Sequence, residues 1–302
     1  MNDSAMEQVS ERIAVLVAAA GPSLVRVEAG RRPVATGIVW APGVVVTTQH
    51  ALDGEAELTV GLDDGQTASA ALAGRDPAVD LAVLRVEAQE LTPAAFGDLT
   101  PLRVGHLVVA AARPGRSVRA ALGVVSALGD HYRTNAGGRV ERYLEAALPL
   151  PSGFAGGLLL TAADGISGTG LGLLSPALVR GAAVALPAVT LRRVVGTLLE
   201  RGRIDRGFLG IVTTPGELPS GLAGTLGQRS ALVVVSIAAG SPAEEAGLLL
   251  GDALVALGER PVRQVRDLIE LLDEEPLGSA ARVRIVRAGE LRELAVRIGT
   301  RN

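Results

Sequence analysis

Cysteine and lysine are both missing from this chain, and aromatic residues are scarce: only Trp40, Phe96, Tyr132, Tyr143, Phe154 and Phe208. Without a thiol there is no cysteine nucleophile, no thiolate zinc site and no disulfide framework; without lysine there is no Ser-Lys dyad. The core must therefore be built from many small aliphatic side chains. All 29 basic residues are arginine, and 32 acidic residues bring the net charge to −3. That balance lacks the concentrated positive surface that phosphates require, which argues against nucleic acid as a partner. Only His50, His106 and His131 can supply an imidazole base near neutral pH. A leader-like start is absent as well. Residues 1–20 have no basic n-region, and Glu11 and Arg12 precede the apolar run 13–20, so neither a secretory signal nor a membrane span is expected there. The expectation is a cytoplasmic protein, with a trimmed leader as the alternative.

A length of 302 residues suggests two domains, each able to bury its own core. A first segment, 1–21, reads as helical over residues 6–20 and leads to Pro22. From 22 to about 203 the pattern changes to short β-rich runs, among them 24–27, 37–40, 44–47, 57–60, 81–86 and 107–111. Turn residues punctuate them at Ala41-Pro42-Gly43, Asp63-Asp64-Gly65, Arg113-Pro114-Gly115 and Asp164-Gly165, as in an antiparallel sandwich or barrel. An apolar stripe of Leu191, Val194, Val195, Leu198 and Leu199, stopped by Gly202, marks an amphipathic helix that closes this part. A basic link, Arg201, Arg203 and Arg206, leads to a second unit over 207–300. There Ser241 caps a short helix with Pro242 at its first position and Glu244 returning the capping bond, and Gly247 ends it. A second helix spans 265–273, and strands are expected at 232–236, 253–257, 282–286 and 291–298, giving a small α+β domain.

Chemistry concentrates at three places. His50 follows the apolar run 44–47 and so sits just past a strand end. Asp80 precedes the buried run 81–84, where its carboxylate could orient an imidazole and stabilise it once protonated. Taken alone, His50 also reads as a half-buried structural histidine and Asp80 as a strand-entry aspartate. The third place is Ser152-Gly153-Phe154-Ala155-Gly156-Gly157, which has the shape of a nucleophile loop with alanine where the serine would stand. The amides of Gly153 and Ala155 could converge as an oxyanion hole, although a Gly-rich surface turn is the plainer reading. Ser152 and Ser167 are poorly placed to substitute and read as turn serines. His106 and His131 have no acidic partner and read as a strand and a loop histidine.

These motifs resemble the HtrA/DegP family of trypsin-like serine proteases with one PDZ domain, over residues 22–300. Residues 47–52, Thr-Thr-Gln-His-Ala-Leu, are similar to its "TN-x-HV" motif, and 76–84 to its "DP-x-x-DLAVL". Residues 123–128 match "G-V/I-VSAL", 206–211 resemble "RG-Y/F-LGI", and 241–252 resemble "SPA-x-x-AGL-x-x-GD". The resemblance implies a mainly β fold, a chymotrypsin-like double β-barrel followed by a small α+β PDZ domain. It also implies His50 as base, Asp80 as its orienter, position 155 as nucleophile site and Gly153 in the oxyanion hole, with no metal or cofactor. Phe208, Leu209, Gly210 and Ile211 would form the carboxylate-binding loop of the PDZ domain, with Val265 and Ile269 walling a pocket for a peptide C-terminus. The family's "PGNSGGP" reads here as residues 152–158 with Ala155 for serine, and its "TDA" as Ala146-Ala147-Leu148. The implied function is a quality-control endopeptidase acting on unfolded polypeptides, inactive in this chain through an engineered Ser-to-Ala change at 155. The alternative is a natural pseudoprotease serving as a non-catalytic PDZ scaffold. Segments 168–177 and 182–187 carry no acidic residue, so a small or aliphatic side chain is expected before the cut. A homotrimer is the expected assembly, although no aromatic residue precedes Trp40.

Overall fold

The computed structural model describes residues 3–30, 32–52, 57–88, 90–134, 136–161 and 169–300. Ser167 and the turn at Asp164-Gly165 lie outside them. Two compact units emerge, Met1–Ile204 and Asp205–Asn302. The first begins with helix α1 (Asp3–Ala20) and a 3-10 turn (Gly21–Ser23). Six strands then close one antiparallel barrel: β1 (Leu24–Ala29), β2 (Arg32–Ala41), β3 (Val44–Thr47), β4 (Leu58–Gly61), β5 (Thr67–Asp76) and β6 (Leu81–Val86), in the order β1-β2-β3-β6-β5-β4. A second barrel follows the same plan. It comprises β7 (Leu107–Ala112), β8 (Arg119–Gly129), β11 (Tyr143–Ala147), β12 (Leu158–Thr161), β13 (Gly170–Ser175) and β14 (Ala183–Pro187), ordered β11-β14-β13-β12-β7-β8. A small hairpin, β9 (Tyr132–Arg133) and β10 (Arg139–Val140), interrupts it.

Strands buried on both faces read as unbroken apolar runs rather than as alternation, and β6 shows why. Ala82 and Leu84 fill the first barrel, while Leu81 and Val83 face a separate cluster shared by both barrels. Helix α2 (Ala188–Arg201) lays Leu191, Val194, Val195 and Leu198 on that shared cluster and ends at Gly202, whose φ of 74° is the left-handed stop expected of a C-terminal glycine. The core is aliphatic, as the shortage of aromatics requires. Its largest fully buried side chain is Phe154, 1% exposed, inside the second barrel.

The second unit holds the two-residue strand β15 (Gly207–Phe208) and then β16 (Ile211–Glu217), α3 (Ser220–Leu226), β17 (Ser230–Ile237), α4 (Pro242–Glu245), β18 (Ala253–Leu257), β19 (Arg260–Pro261), α5 (Val265–Glu274), β20 (Ala280–Arg287), β21 (Glu290–Arg297) and β22 (Gly299–Thr300). Its main sheet runs β16-β17-β18-β20-β21, leaving β16 at an edge. The Ser241 hydroxyl accepts from the Glu244 amide as expected, but the Glu244 carboxylate reaches back to the Gly240 amide at 2.6 Å instead of to Ser241. The reason is that the Ser241 amide is already taken by the Ala238 carbonyl.

Asp252 is the charged anchor of this unit, 1% exposed. Its oxygens accept from Arg287 Nε and Nη2, both at 2.7 Å, and from the Leu249 amide at 2.8 Å. Burial pushes its carboxyl pKa up, but the Arg287 and Leu249 hydrogen bonds outweigh that and hold it below the ordinary value. A carboxylate with a depressed folded pKa stabilises the fold above its unfolded pKa of about 3.9, and that contribution disappears as pH falls through the folded value. Asp252→Asn is therefore expected to lower the unfolding midpoint of this unit near neutrality. The gap from the parent narrows below about pH 4, as followed by circular dichroism.

Candidate active site

Thr47 ends β3, and three residues later His50 opens a single 3-10 turn anchored by buried Leu52. This turn meets the one that leads into β6. Asp80 sits there at φ 55°, a left-handed conformation that aspartate tolerates better than most side chains. Asp80 is 4% exposed, and its carboxylate lies 2.8 Å (Oδ2) and 3.0 Å (Oδ1) from His50 Nδ1. Oδ1 also accepts the His50 amide at 2.9 Å, and Ser175 Oγ donates to Oδ2. An ionised carboxylate only accepts, so these partners place the proton on Nδ1 and the basic lone pair on Nε2.

The 153–157 loop is stitched to both barrels. Gly156 donates to the Leu174 carbonyl and Leu174 to that of Gly157, both at 2.8 Å, one residue from Ser175 and hence from Asp80. On the opposite side lies Thr36 of β2. Its amide donates to the Ala155 carbonyl at 2.9 Å, its hydroxyl to the Gly153 carbonyl at 2.8 Å, and its own carbonyl accepts from Thr47 Oγ1 at 2.7 Å. Glycine is required at 156, where φ is 79° and a Cβ would overlap the Thr36 carbonyl. Gly153, at φ 87°, lies against the Pro114 ring. Among the described residues, neither the Gly153 nor the Ala155 amide has a hydrogen-bond partner. Two half-exposed, unpartnered donors on either side of buried Phe154, in a loop held from both sides by hydrogen bonds, are the kind of donors that a developing oxyanion takes.

Histidine, aspartate and loop are thus joined by short hydrogen-bonded paths, His50 to Asp80 to Ser175 and Thr47 to Thr36 to Ala155. Ser152 is exposed. His106 accepts the Arg103 amide at 3.2 Å, and His131 lies exposed before the small hairpin. Sequence reading passed over Thr36, Ser175 and Phe154. Threonine and serine inside apolar strands were the available signal, because a buried hydroxyl must find a partner.

In the second unit, Gly210 has φ 82° and a Cβ there would overlap Ser241. Leu209 buries its side chain in the core, and its carbonyl accepts the Ala243 amide at 2.9 Å, so what it presents outward is main chain. Helix α5 buries Leu268, Leu271 and Leu272 and leaves Val265 41% exposed and Ile269 partly exposed. Edge strand β16 and this helix contact each other.

The trypsin-like peptidase domain family matches residues 35–166, and the PDZ domain family matches 207–298. A probable periplasmic serine endoprotease, DegP-like, of Rhizobium meliloti is 33% identical over 91% of this chain and 55% of its own length. The chain carries a trypsin-like peptidase domain followed by a PDZ domain and is similar to proteins named DegP-like serine endoproteases. A DegP-like relative from Chlamydia trachomatis is 29% identical over 86% of this chain and 52% of that protein. The HtrA-type protease AlgW with decapeptide shares the fold at a TM-score of 0.73, with 23% identity over 96% of this chain and 98% of that one. The mainly β fold of two barrels and a PDZ-type sheet is that of the family. The chain spans about half the length of the curated relatives it matches.

The cytoplasmic expectation is overturned by these names, since the relatives are called periplasmic. The physical reason is that compartment is read from targeting segments and not from a domain's fold, so the composition of its first helix carries no compartment signal. Among the described residues no helix is long and apolar enough to cross a membrane.

Proposed function

We propose that this chain is an HtrA-type serine endopeptidase of protein quality control whose chemistry is interrupted at Ala155. The observation that supports this best is the Asp80 clamp on His50 Nδ1 beside a loop whose Gly153 and Ala155 amides are unpartnered among the described residues. With serine at 155, its Oγ attacks the scissile carbonyl while its proton passes to His50 Nε2. Asp80 stabilises the imidazolium, and the two amides stabilise the oxyanion. His50 then returns the proton to the leaving amine, and water repeats the cycle on the acyl-enzyme. A methyl group at 155 forbids the first step. Intact base and orienter favour reading Ala155 as an engineered replacement. In Ala155→Ser protein, a fluorophosphonate label is expected on residue 155 and absent when His50→Ala is added. Absence of label in both refutes the proposal.

The second reading, a natural pseudoprotease scaffold, draws on Phe154. The family motif has a polar asparagine there, whereas this chain sinks an aromatic ring into the second barrel. The coding sequence at position 155 decides between the two.

Unfolded polypeptides are the proposed substrate, with a small or aliphatic residue before the cut, because β13 and β14 bring only apolar residues, glycine and Ser175 to that region. A peptide C-terminus is proposed to add to the edge of β16, its carboxylate at the 208–211 loop and its last side chain near Ile269 and Val265. An apolar-ended peptide is expected to bind, and amidating its terminus to raise Kd about 10- to 100-fold, the scale of a lost charge-assisted hydrogen bond, by calorimetry. Unchanged affinity on amidation rules this mode out. A homotrimer is the proposed assembly, checked by light scattering.

A further inference from the structure

We propose that Arg113 is a positioning residue for the nucleophile loop: its guanidinium fastens the turn beneath that loop to carbonyls of the 21–24 segment that follows α1, making the loop's shape depend on how that segment is docked. The inference rests on the protease reading above. Arg113 is 5% exposed, and among the described residues no carboxylate lies within ion-pair distance of it, Asp63 acting on it only from further away. A buried charge without a counter-ion must be compensated by dipoles. Three carbonyls do this: Leu24 accepts from Nε at 2.7 Å, Arg116 from Nη1 at 2.8 Å and Gly21 from Nη2 at 2.9 Å. Gly21 lies in the 3-10 turn that follows α1, and Leu24 opens β1, so the guanidinium ties the turn to the segment that joins α1 to the first barrel. If the segment before β1 undocks, Arg113 loses the Gly21 acceptor and keeps those of Leu24 and Arg116.

The other side of the same turn supports the loop at two points. The Arg113 amide donates to Thr36 Oγ1 at 2.9 Å, and that hydroxyl in turn donates to the Gly153 carbonyl at 2.8 Å. Pro114 occupies the space where a side chain at 153 would stand, so its ring is the floor under the proposed oxyanion glycine. One residue thus reaches the 21–24 segment through its side chain and the 153–157 loop through its main chain. Displacing the turn moves Thr36 Oγ1 or breaks one of its two bonds, and either releases the Gly153 peptide.

The test uses Arg113→Met, Arg113→Lys, Thr36→Val and Thr36→Ser. In the chain as it stands, hydrogen–deuterium exchange of residues 151–158 is expected to rise about tenfold or more in Arg113→Met and Thr36→Val. Arg113→Lys is expected to show an intermediate rise and Thr36→Ser almost none, while strand β6 is unaltered. If Arg113→Met does not fold, the lysine variant and the Thr36 pair carry the result. In an Ala155→Ser background Arg113→Met and Thr36→Val are expected to lower kcat about 10- to 100-fold, with KM changed less than about twofold, Arg113→Lys to fall between and Thr36→Ser to stay near the parent. Loop exchange that stays at the parent level, or rises equally in β6, overturns the positioning role. If Ala155→Ser is itself inactive, the protease reading fails, and the exchange pattern still judges the coupling.

Discussion

Ala155→Ser is expected to convert a chain with no measurable peptidase activity into one that degrades unfolded casein, a gain on the order of 10⁶ in kcat, the scale lost when such a nucleophile is deleted. On the proposed mechanism the other parts are present: Nδ1 of His50 lies 2.8 Å from Asp80, and the loop is held by Thr36 at the Gly153 and Ala155 carbonyls and by Leu174 at Gly156 and Gly157, leaving the Gly153 and Ala155 amides open. In the restored protein, His50→Ala is expected to abolish cleavage. Asp80→Asn is expected to cost about 10⁴, because an amide at 80 can stabilise the wrong imidazole tautomer. Retention of cleavage by both variants would mean that another group acts as base. No cleavage by Ala155→Ser at any temperature, with or without peptides for the second unit, would favour the scaffold.

Phe154→Ala is expected to destabilise the first unit by about 3–5 kcal/mol, the cost of deleting a fully buried aromatic ring from a packed core. For a domain of this size that lowers its melting temperature by roughly 6–20 °C. Calorimetry reads the effect, with the transition of the second unit as internal reference. Phe154→Leu is expected to cost less than about 1.5 kcal/mol, since it largely preserves volume. The site follows the core here, because Phe154 lies between Gly153 and Ala155 and its ring is what sets their depth. A small effect of Phe154→Ala would show that the ring is not the anchor and that the hydrogen bonds to Thr36 and Leu174 suffice.

Much of the architecture was legible along the chain. The runs 44–47, 81–86 and 253–257 became β3, β6 and β18 with the expected limits, and the 191–199 stripe became α2 with its glycine stop. Helix α3 was not legible. It is rich in glycine and buries none of its residues fully, so no apolar period announces it. At the candidate site, His50, Asp80 and the 153–157 loop stood out because each lies in a short motif at a strand end. Thr36, Ser175 and Arg113 did not, because their meaning lies in partners far along the chain. Thr36 to Gly153 spans 117 residues, Asp80 to Ser175 spans 95, and Arg113 to Gly21 spans 92.

Residue types alone dictated the chemical inventory: no thiol, no lysine, three imidazoles and no oxygen at 155. They also dictated the local elements, because hydrophobic period, turn residues and caps act within a few positions of themselves. Only barrel closure decided which of those pieces meet. Strand pairing and burial on both faces of β3, β6 and β13 bring a histidine, an aspartate, two hydroxyls and a glycine loop together, and contacts that distant leave no period in the sequence to read.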